Sequence, residues 1–252
     1  MAQSARPNTV DIDEVARFSA LAAEWWDISG PMAPLHKLNP LRLGWIKDQV
    51  SAAFGRDPKD PSAYSGLRFL DVGCGAGIVA EPFRRVGAEI VAIDPSQENI
   101  EAARLHAVES GLSIDYRATT AEALADSGET FDVVTALEVV EHVTDVPAFV
   151  GVCASMVKPG GVMIVTTINR TAKAFALAIV GAEYVLHWLP RGTHSYDKLV
   201  TPKELEIAFD AAGLSLTAKT GIMYVPFADY WRLTGDMDVN YMVATKRVLA
   251  GD

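Results

Sequence analysis

Leu70-Asp71-Val72-Gly73-Cys74-Gly75-Ala76-Gly77 closes a short apolar run, begun at Leu67, with an acid and three closely spaced glycines. A near-continuous apolar run of this length fits a central parallel strand covered on both faces. The glycines that follow permit φ > 0 and let a ligand approach main-chain N–H groups with no Cβ between. The stretch therefore reads as a buried strand turning tightly into a helix, with the turn as a cofactor loop. A second apolar run, Ala88 to Ile93, ends at Asp94, and helix-forming residues follow from Gln97 to Glu109. An acid ending the second strand of a βαβ unit can accept hydrogen bonds from both ribose hydroxyls of a nucleoside held at the first turn.

The glycine spacing separates two ligand classes. A dinucleotide fingerprint has Gly-x-Gly-x-x-Gly, whose third glycine permits close helix packing. Here the third glycine comes after one residue, and Asp71 precedes the loop. Asp-x-Gly-x-Gly-x-Gly resembles the first motif of the Rossmann-like S-adenosylmethionine-dependent methyltransferases, in which the acid ending the second strand, here Asp94, binds the nucleoside. No Walker lysine accompanies the loop.

The 252 residues suffice for one α/β domain with extensions. The expected divisions are an N-terminal helical extension over 1–63, a cofactor-binding core over 64–168, an apolar insertion over 169–201 and C-terminal elements over 202–252. A net charge of −10 disfavours a nucleic-acid partner, because phosphate binding needs a basic footprint. Two cysteines, Cys74 and Cys153, suggest no disulfide framework and fit a reducing cytoplasm. Residues 1–13 carry early acids and no apolar segment of the kind a signal peptide needs, so none is expected.

Residues 1–9 read as a disordered start. From Asp11, the spacing of Val15, Phe18, Leu21, Ala22, Trp25 and Trp26 predicts one amphipathic helix. Gly30 to Pro40, with three prolines, reads as a loop leading into a second helix that carries Arg42. Leu112 to Tyr116 reads as a third strand and Thr119 to Leu124 as a turn of helix. Glu122 there reads as a first-turn helix acid, while the resemblance to the Rossmann-like methyltransferases implies instead a neighbour of the adenine. Phe131 to Ala136 is the fourth strand, ending at Leu137. A helix over 146–156 stops at Lys158-Pro159-Gly160-Gly161. The fifth strand covers 162–167, a helix 202–212, and two further strands 214–220 and 239–245. The alternation of strands and helices up to Thr167 argues for a parallel sheet.

Open α/β sheets bind ligands beyond the carboxyl ends of their strands, so residues just after Ala136 face the chemistry. Glu138, Glu141 and His142 are spaced i, i+3, i+4 and would share one face of a helical turn. They read either as three cation ligands or as dipole-satisfying acids beside a packed histidine. A phenol, with pKa near ~10, is a poor nucleophile until a base or a Lewis acid acts on it. A divalent cation could do this, and His142 could instead serve as the general base.

Ala22-Ala23-Glu24-Trp25-Trp26-Asp27, Pro34 to Leu43, Glu138-Val139-Val140-Glu141-His142-Val143 and Gly192-Thr193-His194 together resemble the ubiquinone biosynthesis O-methyltransferases, from about Arg17 to the C-terminus. The resemblance implies an α/β, Rossmann-like class I methyltransferase fold. Its seven-stranded, mostly parallel sheet would have an antiparallel last strand, helices on both faces, an N-terminal helical extension and a helical insertion after the fifth strand. It implies methylation of catechol or phenol hydroxyls on polyprenylated ubiquinone precursors. By matching motif, Arg42, Gly73, Asp94 and Leu137 would contact S-adenosylmethionine, and Gly75 of the loop and Glu122 are further candidate cofactor contacts. Glu138, Glu141 and His142 would hold a divalent cation, usually Mg²⁺, with Glu141 and His142 as the catalytic pair. Alternative functions are a small-molecule N- or C-methyltransferase of the same fold and a non-catalytic nucleotide-binding protein.

The insertion over 169–201 then reads as a membrane contact, an active-site lid, or both. Phe175, Leu177, Ile179, Val180, Trp188 and Leu189, within 170–190, could enter the headgroup boundary. Arg170, Lys173, Arg191 and Lys198 would each add about 1 kcal/mol of attraction to anionic lipid. The expected location is the cytoplasm, with a peripheral position at the inner face of its membrane, and a ubiquinone-synthesis complex is a further expected partner.

Overall fold

The computed structural model describes residues 8–177 and 196–248. Helix α1 (Ile12–Ser19) starts at Asp11, whose side chain accepts the N–H groups of Asp13 and Glu14, supplying two of the partners a helix start lacks. A separate 3-10 turn at Ala22–Glu24 follows, so the single helix expected through Trp26 is divided. Thr9 is buried rather than part of a disordered start. Helix α2 (Ala33–Phe54) takes in most of the stretch expected as a loop. Pro34 sits in its first turn, where a missing N–H costs nothing, and Pro40 is carried inside the helix.

The core then alternates as expected: β1 (Arg68–Val72), α3 (Ala80–Arg85), β2 (Glu89–Asp94), α4 (Gln97–Glu109), β3 (Asp115–Ala118), α5 (Ala121–Asp126), β4 (Phe131–Leu137), α6 (Val146–Ser155) and β5 (Val157–Ile168). After the short α7 (Ala172–Ala174) come α8 (Pro202–Ala211), β6 (Leu214–Val225), β7 (Tyr230–Thr234) and β8 (Asn240–Arg247). Strand β3 begins later than its apolar residues suggested, because Leu112 and Ile114 pack against the core from the connection before it. No helix among the described residues is long and apolar enough to cross a membrane.

Among the described residues eight strands form one sheet in the order β3-β2-β1-β4-β5-β8-β6-β7. The first five in that order pair in parallel. Strand β8 is antiparallel to β5, and β6 and β7 follow antiparallel in turn. The expected count of seven is corrected by β7, the return arm of a hairpin with β6. Its run Tyr230-Trp231-Arg232-Leu233-Thr234 is too short to stand out by period.

Alternation along each strand fills both faces. Phe69, Val133, Ile164 and Met242 enter the cluster that holds Ile46 of α2, Phe83 of α3 and Ile100 of α4. Their neighbours Leu70, Val134, Val165 and Val243 enter the opposite cluster with Leu124 of α5, Phe149 of α6 and Leu205 of α8. Strand β1 pairs with β2 on one side and β4 on the other, so the order reverses there and opens a crevice at the carboxyl ends.

Candidate functional site

Three loops meet at that crevice. Gly73 and Gly75, after β1, have φ 68° and 53°, in the left-handed region. A Cβ on Gly73 would lie 2.6 Å from Val139, and one on Gly75 2.5 Å from the Trp25 ring. The loop is thus covered by the N-terminal segment, whose Trp26 Nε1 donates to the Ala76 carbonyl at 3.0 Å. Asp94, ending β2, accepts from the N–H of Gly75 at 3.0 Å and of Ser96 at 2.9 Å, and from Asn99 Nδ2 at 3.3 Å. Burial raises its pKa against the pull of these donors.

Beyond β4 the chain does not continue as the expected helical turn. Glu138 has φ 55°, and only Val140–His142 form a 3-10 turn. The three candidate ligands therefore do not share one face. Glu138 Oε1 accepts from Thr166 Oγ1 at 2.7 Å and lies 3.6 Å from Arg42 Nη1. Glu141 is buried and accepts from Thr167 Oγ1 at 2.9 Å, leaving Oε1 without a partner. Burial, then the charge of Glu138, push its pKa well up. His142 Nδ1 lies 3.1 Å from Glu14 of α1, and its ring meets Phe18 edge-on. No group of three His, Cys, Asp or Glu side chains among the described residues is gathered to hold a metal ion.

Two cavities border this junction. The smaller, about 130 Å³, is lined by Gly75, Asp94 and Glu122 among others, and the larger, about 480 Å³, by Arg42, Asp71 and Leu137. Gly73, Glu138 and His142 line both, whereas Glu141 lies behind them. Arg42 is buried in α2, its Nη2 donating to Asn39 at 3.2 Å. Burial lowers its pKa against the opposing charges of Glu138, Asp71 and Glu141. Glu122 accepts from the Thr9 N–H at 2.9 Å and hydroxyl at 2.5 Å. Arg42 Nε, Asp71 Oδ2 and Glu122 Oε2 are buried without partners. Such atoms fit the polar ends of an amino acid and a base. The cradle therefore fits S-adenosylmethionine by its glycines, its acids and its unpaired polar atoms.

Sequence reading missed several residues that hold these groups. Thr9 anchors Glu122, Ser96 and Asn99 fix Asp94, and Thr135 Oγ1 donates to Asp71 at 2.8 Å. Only Ser96 carried a signal, as the cap of α4. Three of the cations expected to face lipid pair with acids on other elements. Arg170 pairs with Glu204, Lys173 with Asp236 and Asp238, and Lys198 with Asp11 and Glu14. Phe175 and Leu177 are exposed. Ile179, Val180, Trp188, Leu189 and Arg191, with the Gly192-Thr193-His194 motif, lie outside the described residues.

Asp71 supplies a pH test of this packing. Burial pushes its carboxyl up to about 7 against the Thr135 hydroxyl and the Arg42 charge. An acid whose folded pKa exceeds its unfolded value costs stability when ionised, so this cost builds from about pH 4 and is complete above about 7. Asp71→Asn removes the ionisation. Its melting temperature relative to the parent is expected to rise between about pH 4 and 7, and a difference flat with pH would contradict the assignment.

A family model described as a methyltransferase domain matches residues 41–219. The ubiquinone biosynthesis O-methyltransferase of Mesorhizobium japonicum is 58% identical over 242 residues, covering 96% of this chain and 97% of that protein. The protein of the same name from a Chelativorans species is 59% identical over 246 residues, covering 98% and 97%. Among solved structures, magnesium protoporphyrin IX methyltransferase from Synechocystis with bound SAM superposes with a TM-score of 0.59 at 15% identity. That match covers 96% of this chain and all of the other, and it is a likeness of fold.

Proposed function

The chain belongs to the ubiquinone biosynthesis O-methyltransferases, and on that premise we propose that it methylates a phenolic hydroxyl of a polyprenylated ubiquinone precursor. It is an S-adenosylmethionine-dependent methyltransferase. The observation that carries the acceptor reading is the larger cavity, which begins at Gly73, Leu137 and His142 and continues between apolar walls that include Leu38, Ile78 and Ile168. Transfer of a labelled methyl group to a short-chain demethylubiquinol analogue tests it.

When bound, S-adenosylmethionine supplies an electrophilic methyl group on a sulfonium sulfur. The work of the protein is then to align the acceptor oxygen with that methyl group, to exclude water and to take the phenolic proton. Positioning two bound reactants can contribute ~7 to 11 kcal/mol. Arg42 is suited to the amino-acid carboxylate and Asp94 to the ribose, with Glu122 beside the base. His142 is the proposed general base. Burial would raise the pKa of Glu14, but hydrogen bonds from His142 and Lys198 outweigh it and hold the carboxyl at about 2. An ionised carboxylate at Nδ1 fixes the tautomer whose Nε2 accepts a proton.

A divalent cation, taken as Mg²⁺, belongs to this proposal through its donor set. Glu138 and Glu141 would supply the oxygens that Mg²⁺ prefers, one of them unpartnered, and Glu138 would have to release Thr166 and Arg42 to join a site that the arrangement described above does not gather. A bound cation would lower the pKa of a catechol hydroxyl. Chelation is expected to depress transfer and added Mg²⁺ to restore it. Near-normal rates after chelation would remove the cation from the account.

Peripheral membrane contact is proposed on Phe175 and Leu177, whose exposed side chains stand beside the cavity that Leu177 lines. Phe175→Glu with Leu177→Glu is expected to reduce co-sedimentation with anionic liposomes. Unchanged co-sedimentation would count against this contact.

A further inference from the structure

Strand β6 runs parallel to β4 and overshoots it. The row across the sheet from Leu137 passes through Thr166 and Met242 to Thr220. Ile222 is the last residue of β6 to pair with β8, and Met223, Tyr224 and Val225 pair with β7 alone. The tip of the hairpin therefore stands above the carboxyl edge, where such sheets bind ligands. Three strand steps of about 4.8 Å and four residues of about 3.3 Å put Tyr224 ~20 Å from Leu137. Both residues nevertheless line the same 480 Å³ cavity. The cavity therefore reaches from Leu137, beside the chemistry, to the hairpin.

The hairpin end is apolar and aromatic. Ile222, Met223, Tyr224, Pro226 and Trp231 line it, and Tyr224 and Trp231 are cross-strand partners with ring centroids 5.1 Å apart. The turn is also fixed in place. Asp229 accepts from the Tyr224 hydroxyl at 2.6 Å and from Lys37 Nζ at 2.7 and 2.9 Å. Lys37 belongs to α2, the helix that carries Arg42, so the two walls of the cavity are tied together.

A single aromatic ring placed at Leu137 does not reach across ~20 Å, so only an extended apolar substituent joins the two ends. Resting on the acceptor reading above, we propose that Tyr224 and Trp231 form a tail-selecting subsite that contacts the isoprenoid chain and sets the preference for tailed over tail-less phenols. Rigid aromatic side chains suit that role, because they bury a large apolar area with few rotamers to lose.

The test compares kcat/KM for a demethylubiquinol analogue without a side chain and for one bearing a geranyl chain. Trp231→Ala is expected to lower the ratio of tailed to tail-less kcat/KM about tenfold, chiefly through KM of the tailed acceptor, and Trp231→Phe about threefold. Should the Ala variant fail to fold, the Phe variant decides. A ratio within about twofold of the parent, in an enzyme that methylates both acceptors, overturns the subsite alone. A parent enzyme that binds S-adenosylmethionine but methylates neither overturns the acceptor reading itself.

Discussion

Asp94→Ala is expected to weaken S-adenosylmethionine binding by ~10² to 10⁴, because hydrogen bonds to a charged group contribute ~1.5 to 3 kcal/mol each and two are removed. One is the proposed acceptor of the ribose hydroxyls. The other is the bond from the Gly75 N–H, which fixes the left-handed glycine turn against the end of β2. Losing the carboxylate also frees Asn99, and with it the Trp25 indole that Asn99 Oδ1 holds at 3.1 Å over the loop. Calorimetric titration with S-adenosylhomocysteine checks this without catalysis. Asp94→Asn keeps one acceptor oxygen and should lose about tenfold, and an Ala variant within about twofold of the parent would contradict the assignment.

His142→Ala is expected to lower kcat by ~10² to 10⁴, the range for a positioned general base. A change in protonation is separable from a change in packing by the acceptor used. A nitro-substituted catechol, already largely ionised at neutral pH, needs no base, so the loss should shrink with it. An equal loss with both acceptors would show that His142 serves packing against Phe18 instead. Glu14→Gln should follow the same pattern with a smaller loss, since it disturbs the tautomer of His142 rather than removing the ring.

The parts of this site legible in the sequence are those set by local chemistry. The run from Leu67 to Gly77 and the acid at Asp94 carry their own periods and turn signals, and both take the conformations expected of them. Where tertiary contacts decide, the sequence is silent. Pro34 and Pro40 look like loop residues because their helix is settled by burial of Leu38, Arg42, Trp45 and Ile46 against the core. Glu138, Glu141 and His142 keep helical spacing in the sequence, yet the Glu138 carboxylate goes to Arg42 and Thr166 and its backbone takes a left-handed conformation. Thr9 shows its part only once Glu122 is in place, more than a hundred residues away. The β6–β7 hairpin was hidden for a different reason. Its partner strand is short, half exposed and bounded by Asp229 and Gly235, so no alternation marks it.

Methyl transfer itself is measured with S-adenosylmethionine carrying a labelled methyl group, Mg²⁺ and a short-chain demethylubiquinol analogue. Label is expected on the phenolic oxygen of the recovered lipid, with a faster rate for this acceptor than for soluble amines. Label appearing on nitrogen or carbon acceptors in preference, or no transfer while the cofactor is bound, would contradict the proposed methylation of a phenolic hydroxyl.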